Sequence, residues 1–352
     1  MRKPMNAKEN ATRIIRFDKP ERVVTCPPTH RVGYMGCDHE GYDAPGHDVP
    51  VGTTWTDVWG TTWQKEQKGV MGFPQKHPMA DIVRGLLEHT WPDPNDERIC
   101  GRIYKQAEGC DRAQVFLHGS HRETLWEKSY MLVGMEDLMC YFHTEPEAVK
   151  ELLHRIIDFD LAVAKHYISV GVESVGMGDD LGTQNGLLFS TEIFDEFFMP
   201  EYRRLFDFYK QHKVLIGFHS CGHICPLLDR LMDLGVDVLN PIQESANDLQ
   251  VVRERTQGRM ALHGGINSGL IVSGPVERIR QEVHHRIHQL GRDGGYFCGP
   301  DQGMPWPEKH FLALWEAVEE FGKYPLETGE AEDVTTEQKN SIRPKTQRKK
   351  HP

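Results

Sequence analysis

Residues 214–225 read VLIGFHSCGHIC, an apolar run that is followed at once by a cluster of polar residues. Its first five residues, VLIGF, are apolar, and polar side chains begin only at His219. A continuous apolar run without alternation is typical of a parallel strand that is covered on both faces. In such sheets and barrels, catalytic and ligand-binding residues lie at the carboxyl ends of the strands. The stretch therefore predicts a buried strand that presents His219 and Cys221 at its tip.

Apolar strand-like runs and helical patterns alternate along most of the chain, which implies parallel strands joined by right-handed crossovers. No G-x-G-x-x-G motif follows the first strand, as a doubly wound dinucleotide-binding sheet would require. We therefore predict the α/β class and a closed (β/α)8 TIM barrel. Eight runs supply its strands: RVVTC, the Trp59 region, QVFLH, ESVGM, VLIGF, VDVLN, MALH and YFC.

The predicted organisation is one barrel domain over residues 1–326 and a polar tail over residues 327–352. The tail lacks apolar periodicity, and its composition is typical of disordered segments. Within the domain, residues 35–78 form an irregular excursion that is rich in Gly, Asp, His and Trp. Long irregular segments in compact domains usually contain ligand-binding residues, so we expect residues 42–63 to form a lid over a substrate. The segment from Thr56 to Trp63 reads as a tight hairpin.

The composition limits the classes of partner. Of the 352 residues, 38% are hydrophobic and 26% charged, and the net charge of −11 argues against a nucleic-acid or anionic-membrane surface. Eight scattered cysteines predict reduced thiols rather than a disulfide framework. The opening residues lack the apolar core of a signal peptide, and no run approaches the length of a membrane span. We expect a cytoplasmic protein whose partners are small molecules or other proteins.

A metal site is predicted at the tip of the central strand. Imidazole and thiolate are ligands that zinc favours, and a catalytic zinc site needs three protein ligands and one open position. His219 and Cys221, one residue apart, supply two of them. Cys298, on another predicted strand, is the natural third ligand by chemistry. Its rivals are Asp179, Asp180, Glu244, Asp301 and Gln302.

Other strand tips are predicted to ring the same mouth. Taken singly, each polar residue there also suits a structural role, such as a turn cap or a hydrogen-bonded core histidine. Their joint placement after successive strands favours a functional site. Asp179, Asp180 and Glu244 are the candidate catalytic acids. The candidate substrate-binding residues are Trp59, His118, Gln243, His263, Asn267 and Gln302.

Several motifs together resemble the uroporphyrinogen decarboxylase superfamily. They are the HSCG turn after an apolar strand, GVDVLNPIQ, HGGIN and GGYFCGPDQGMP. The resemblance covers most of residues 10–325 and is closer to the zinc-dependent, corrinoid-linked methyltransferases than to the true decarboxylases. The decarboxylase branch has an arginine pattern like RQAGRYLPEY near its N-terminus, whereas this chain reads THRVGYMGCDHEGYD in that region.

The resemblance implies zinc held by His219 and Cys221. The family's distant cysteine lies in a Pro-Gly-Cys-Gly-like context that corresponds here to Pro300-Asp301-Gln302-Gly303. Gln302 therefore stands at the cysteine position, and Cys298 or an acid would replace that ligand.

The resemblance also implies the reaction and its partners. The reaction would move a methyl group between a small substrate and a corrinoid such as methylcobalamin. A separate corrinoid protein would supply the corrinoid, since the D-x-H-x-x-G signature is absent from this chain. A homodimer follows from family analogy. The alternatives are a carboxy-lyase that acts on a carboxylated substrate through Asp179 or Asp180, and a non-catalytic ligand-binding barrel.

Overall fold

The computed structural model describes residues 5–43, 45 and 49–326, so the predicted tail over residues 327–352 lies outside the described residues. The strands in the described part are β1 (Thr29–Val32), β2 (Thr54–Thr56), β3 (Thr62–Gln64), β4 (Phe73–Lys76), β5 (Phe116–His121), β6 (Ser174–Gly178), β7 (Leu215–His219), β8 (Val238–Ile242), β9 (Ala261–Ile266) and β10 (Tyr296–Pro300).

The helices in the same part of the chain are α1 (Ala7–Arg16), α2 (Ile82–Glu88), α3 (Glu97–Ala107), α4 (Trp126–Val133), α5 (Met135–Thr144), α6 (Pro146–Ser169), α7 (Thr191–Ile193), α8 (Met199–Gln211), α9 (Leu228–Leu234), α10 (Leu249–Thr256), α11 (Ser268–Ser273), α12 (Val276–Leu290) and α13 (Glu308–Phe321). A π-helical turn, Phe194–Phe198, joins α7 to α8. None of the described helices has the length and apolar character needed to cross a membrane.

Seven strands form one parallel sheet in the order β1-β5-β6-β7-β8-β9-β10. The two edges of this curled sheet meet through the segment before β1. Val24 forms a parallel bridge with Phe297 of β10, and its carbonyl oxygen accepts a hydrogen bond from the Cys298 amide at 2.9 Å. Barrel strands that follow one another along the chain are therefore adjacent in the sheet, and together they surround a common interior. This arrangement confirms the predicted α/β fold of the TIM-barrel type.

The prediction that the Trp59 region supplies a barrel strand is wrong, although the predicted hairpin is present. β2 and β3 pair as an antiparallel hairpin and form a separate three-stranded sheet with β4. Asp57 fixes the turn because its carboxylate accepts hydrogen bonds from the Trp59 and Thr61 amides, each at 2.9 Å, and from Trp63 Nε1 at 2.8 Å. The barrel continues instead from β1, which begins just after Pro27-Pro28, directly to β5.

The helices cover the outside of the sheet with apolar faces. In α6, the buried residues Leu152, Ile156, Phe159 and Val163 recur with the spacing of one helical face. The long apolar runs of the barrel strands have the same cause, because each strand is covered by helices on its outer side. Polar chemistry is therefore concentrated where the strands end.

α1 closes the N-terminal end of the barrel. Its buried Ile14 and Ile15 form an apolar cluster with Phe116, Leu215 and Phe297, which lie near the starts of their strands. This end of the barrel is apolar, so the polar residues that follow the strands face the opposite, C-terminal end.

Candidate functional site

Three ligand-type side chains converge at the C-terminal ends of β6 and β7. The ligand atoms of Asp180, His219 and Cys221 all lie within 4.8 Å of one another. His219 Nε2 is 3.3 Å from Cys221 Sγ and 3.5 Å from Asp180 Oδ1. A carboxylate, an imidazole and a thiolate form a donor set of the kind that zinc binds. We refer to these three residues as the mouth cluster.

Neighbouring polar groups orient the mouth cluster. Asn240 Oδ1 accepts a hydrogen bond from His219 Nδ1 at 3.0 Å, which leaves Nε2 directed at the other two ligand atoms. The Cys221 amide donates to Asp180 Oδ1 at 2.8 Å. Gln302, from the loop after β10, donates from Nε2 to Cys221 Sγ at 2.8 Å. The donors are thus held in place by elements from four parts of the barrel.

The turn that carries Cys221 is pressed against the loop after β6. Gly222 has a φ of 82°, a left-handed conformation that favours glycine, and a Cβ there would lie 2.4 Å from the carbonyl carbon and oxygen of Gly182. Its amide donates a hydrogen bond to Gln243 Oε1 at 2.5 Å. The close approach requires glycine and sets the position of Cys221 relative to Asp180.

The electrostatics of the mouth cluster favour a cation between the three side chains. Burial disfavours the charged form of His219, but hydrogen bonds to Asp180 and Cys221 outweigh burial and raise its pKa to about 10. Burial likewise opposes ionisation of Asp180, yet its contacts with His219 and the Cys221 amide hold its pKa below the usual range. The negative ligand atoms therefore stabilise a positive charge at this point, and metal binding would compete with this proton.

A cavity of about 770 Å³ extends from the mouth cluster into the barrel. Because side chains alternate across a strand, every second residue faces the interior. On β6 and its extension these are Ser174, Gly176, Gly178 and Asp180, all of which line the cavity. The same alternation on the other strands brings further residues to it. They include Arg31 on β1, His118 on β5, Leu215, Gly217, His219 and Cys221 on or after β7, and Asn240 on β8.

Four of the six predicted substrate-binding residues line this cavity, namely His118, Gln243, His263 and Gln302. The prediction for Asn267 needs correction, because its side chain caps α11 by accepting a hydrogen bond from the Leu270 amide at 3.1 Å. The prediction for Trp59 needs the same correction. Only 1% of this residue is exposed, and its ring packs in the core with its centroid 4.5 Å from that of the Phe159 ring. Both are structural positions.

The placement of Asp179 also needs correction. It follows β6 with the opposite alternation to Asp180, and it is fully buried. Its two carboxylate oxygens accept hydrogen bonds from the Leu125 amide at 2.9 Å, from the Glu127 amide at 2.7 Å and from the Tyr202 hydroxyl. It therefore anchors the start of α4 rather than facing the cavity.

Two more predicted residues lie outside the cluster. Cys298 is fully buried in the hydrophobic core, where burial raises the pKa of its thiol to about 12. Its strand neighbours Phe297 and Gly299 take the interior positions, so Cys298 faces the other way. Glu244 forms an ion pair with Arg286. The structure thus assembles a cluster with Asp180, one of the predicted rivals, in the place expected for Cys298.

Sequence reasoning missed Glu127, at the start of α4. Glu127 lines the cavity, and burial together with the nearby Asp179 and Asp180 raises its pKa to about 9. The available signal was its position shortly after β5, since residues that follow a barrel strand tend to reach the mouth.

A second group of ligand-type residues, Asp38, His39 and Glu123, also has its ligand atoms within 4.8 Å of one another. Arg122 already contacts two of these acids, with Nη1 2.6 Å from Asp38 Oδ1 and Nε 3.1 Å from Glu123 Oε1. A guanidinium in that position opposes a metal ion, so we interpret this group as a buried ion-pair network.

The fold and the mouth cluster define a TIM-barrel-type protein with a ligand set suited to a metal at the C-terminal mouth. Residues 126–321, more than half of the chain, match the family model described as Uroporphyrinogen decarboxylase (URO-D). The chain therefore belongs to the uroporphyrinogen decarboxylase family. This result confirms the resemblance drawn from the HSCG, GVDVLNPIQ and GGYFCGPDQGMP motifs.

Solved structures with the same fold include a methyltransferase from Methanosarcina mazei, with a TM-score of 0.65 and 15% identity, over 90% of this chain and 99% of that chain. At this identity the match establishes a shared fold. A B12-independent methionine synthase from Shewanella sp. W3-18-1 matches with a TM-score of 0.41 and 11% identity, over 58% of this chain and 60% of that chain, which is too low to carry an argument. A comparison with curated proteins found no match.

Proposed function

We propose that this protein is a zinc-dependent methyltransferase that moves a methyl group between a small substrate and the corrinoid of a partner protein. The observation that carries the proposal is the mouth cluster, in which Asp180, His219 and Cys221 bring three ligand atoms within 4.8 Å of one another. The family membership and the fold shared with a methyltransferase support it.

The donor set fits a catalytic zinc ion. Three protein ligands leave one coordination position for substrate, and two of the three ligands carry negative charge when ionised. The mouth cluster borders the cavity, so a substrate can reach that position. When bound, zinc would act as a Lewis acid that lowers the pKa of a substrate thiol or polarises an ether oxygen. Gln302 contributes a hydrogen bond to Cys221 Sγ in place of a second thiolate ligand.

The chain's own residues have distinct tasks in this proposal. Asn240 fixes the ring orientation of His219, and Gln302 donates a hydrogen bond to Cys221 Sγ. Burial, with the nearby Asp179 and Asp180, raises the pKa of Glu127, and its carboxyl group lines the same cavity. When the bond between a substrate heteroatom and its methyl group breaks, the heteroatom keeps the electron pair, and Glu127 can supply the proton that neutralises it. The methyl group would pass, without that electron pair, to a reduced cobalt(I) corrinoid of the partner protein, whose cobalt would supply both electrons of the new bond.

The test compares metal content and methyl transfer in three proteins: the wild type, Cys221→Ala and Cys225→Ala. Cys225 is a half-buried free thiol outside the mouth cluster, which makes it a matched control. We expect about one zinc per chain in the wild type and in Cys225→Ala, and loss of zinc in Cys221→Ala. Methyl transfer is followed through the absorbance of methylcobalamin with a panel of thiols and alcohols as acceptors. Undiminished zinc and turnover in Cys221→Ala would contradict the proposal.

Arg31 gives some support to the carboxy-lyase alternative, because a guanidinium that lines the cavity could hold a substrate carboxylate. Asp179, one of the two acids considered for that reaction, is enclosed by its hydrogen bonds, which leaves Asp180. Carbon dioxide release from a carboxylated substrate by the Cys221→Ala variant would favour this alternative. If the wild type binds no metal and releases no carbon dioxide, a non-catalytic binding barrel is favoured.

A further inference from the structure

The interior of the barrel below the mouth cluster is open. In TIM barrels, the inward positions usually carry bulky side chains that fill the interior in layers. Here two adjacent strands place glycines opposite each other, Gly176 on β6 and Gly217 on β7, and both line the cavity. The missing side chain at Gly217 leaves room on the barrel axis, whereas the His118 ring takes the space beside Gly176, with its Nε2 2.9 Å from where a Cβ would lie. We refer to this part of the cavity as the inner chamber.

The floor of the inner chamber is apolar. Phe116, Leu215 and Val238, the first residues of β5, β7 and β8, line it together with Ile15 of α1. His118 borders the same space, with its Nδ1 2.9 Å from Ser174 Oγ and its ring close to Gly176. An apolar body with a small number of polar contacts is the kind of ligand that such a cavity selects.

One cation faces the inner chamber. Arg31 lies on β1 beside His118 of β5, lines the cavity, and has no ion-pair partner among the residues that the structure describes. Arg122, the other arginine of the lining, is paired with Asp38 and Glu123. The unpaired guanidinium can therefore bind an anionic group from outside the chain.

The charges of the cavity give a ligand one orientation. The acids that line it, Glu123, Glu127 and Asp180, follow β5 or β6 at the mouth, whereas Arg31 lies inside the barrel. An anionic group can pair with the Arg31 guanidinium, whereas Arg122, the arginine at the mouth, is already paired with Asp38 and Glu123. The opposite end of the same molecule then lies at the mouth cluster.

The register of the strands sets the length of such a ligand. Arg31 pairs with His118, His118 pairs with Ser174, and His219 pairs with Gly178, four residues further along β6. At about 3.3 Å per residue, the level of Arg31 and the level of His219 are separated by roughly 13 Å along the strand direction. Two strands lie between β1 and β7 in the sheet, so the ligand must also cross part of the barrel, while the side chains of Arg31 and His219 extend towards it and shorten the span.

We propose that the inner chamber binds the body of the substrate, with its anionic group at Arg31, its apolar middle beside Gly217 and the His118 ring, and its methyl-bearing atom at the mouth cluster. The substrate class is a small carboxylate, or a similar anion, with a methylated heteroatom at the far end. The reaction at that atom rests on the proposed function, whereas the binding itself does not. It can therefore be measured without turnover.

The test is calorimetric binding of two acid and amide pairs to the zinc-loaded protein: 4-methoxybenzoate with 4-methoxybenzamide, and 5-methoxypentanoate with its amide. We expect at least one acid to bind more tightly than its amide. Arg31→Gln should weaken that acid about 10- to 100-fold and leave the amide unchanged, while Arg31→Lys restores part of the preference. Equal binding of acids and amides to the wild type would overturn the proposal.

A second variant tests the inner chamber independently of charge. A Cβ at Gly217 would meet only the Val175 carbonyl oxygen, at 3.5 Å, so Gly217→Ala and Gly217→Val are compatible with the backbone. We expect graded loss of acid and amide binding, larger for Val than for Ala, with zinc content unchanged. Full binding in Gly217→Val would place the ligand outside the chamber and overturn the proposal. Absence of zinc in the wild type would instead count against the proposed function, since the binding comparison can still be made.

Discussion

Gln302 Nε2 donates a hydrogen bond to Cys221 Sγ at 2.8 Å, which joins the loop after β10 to the turn after β7. The carboxamide therefore occupies the place beside the thiolate where the resemblance had implied a second cysteine ligand. The negative charge of that second thiolate is supplied instead by Asp180, which shares the mouth cluster.

The first prediction concerns this contact. Gln302→Leu removes the donor to Cys221 Sγ but leaves all three metal ligands, so we expect zinc to bind about 10- to 100-fold more weakly without being lost. Competition with a chelator measures the change. Gln257→Leu is the control, because Gln257 lies on the surface and contacts Asp293. An unchanged zinc affinity in Gln302→Leu would show that the hydrogen bond does not tune the site.

The second prediction separates two neighbouring acids. Asp180→Ala is expected to lose zinc with little change in folding stability, because Asp180 belongs to the mouth cluster. Asp179→Ala is expected to lower the unfolding free energy, since the backbone amides of Leu125 and Glu127 would lose their acceptor. Each buried donor left unpaired costs about 1–3 kcal/mol. Zinc titration and urea denaturation of both variants give the comparison, and the reverse pattern would exchange the two roles.

The third prediction concerns the close approach of two loops. Gly222→Ala places a Cβ 2.4 Å from the Gly182 carbonyl at a φ of 82°, so the loops that carry Asp180 and Cys221 must separate. We expect a loss of zinc binding that exceeds the loss of stability. Gly186→Ala is the matched control, because a Cβ there would meet nothing within 4 Å. Normal zinc binding by Gly222→Ala would mean that the site tolerates movement of its turn.

The fourth prediction concerns pH. Burial, with the nearby Asp179 and Asp180, raises the pKa of Glu127 from 4.5 to about 9. A carboxyl whose pKa is raised on folding contributes stability that is complete below pH 4.5 and is lost as the pH rises towards 9. Glu127→Gln removes this dependence, so the stability of the variant relative to the wild type should increase between pH 6 and pH 9. Denaturant titrations at both values check the sign, and parallel curves would mean that Glu127 ionises normally.

Much of the barrel follows from the sequence because its strands are continuous apolar runs between helical patterns. The run before His219 predicts a buried strand, and β7 is found at Leu215–His219. The prediction of a barrel strand at the Trp59 region is wrong because a short threonine- and tryptophan-rich hairpin has the same local sequence pattern as a barrel strand. Only the tertiary pairing, in which β1 is adjacent to β5, shows that it lies outside the barrel.

The candidate site was partly predictable for a related reason. His219 and Cys221 end a strong strand, so their place at the mouth follows from the pattern. Asp180 and Cys298 could not be ranked as third ligand by chemistry alone. Side-chain alternation decides between them, since Asp180 continues the inward row of β6 while Cys298 faces the core. Arg31 was missed because the first strand was predicted at RVVTC, residues 22–26, whereas β1 begins at Thr29, after Pro27-Pro28.

X-ray absorption spectroscopy at the zinc edge of the zinc-loaded protein identifies the atoms that bind the metal. The mouth cluster predicts one sulfur ligand from Cys221 at about 2.3 Å, with nitrogen and oxygen ligands in the remaining positions. The Cys298→Ala variant should give the same spectrum. A site with two sulfur ligands would rule out the mouth cluster as the ligand set, and a protein that retains no zinc would rule out the proposed zinc site.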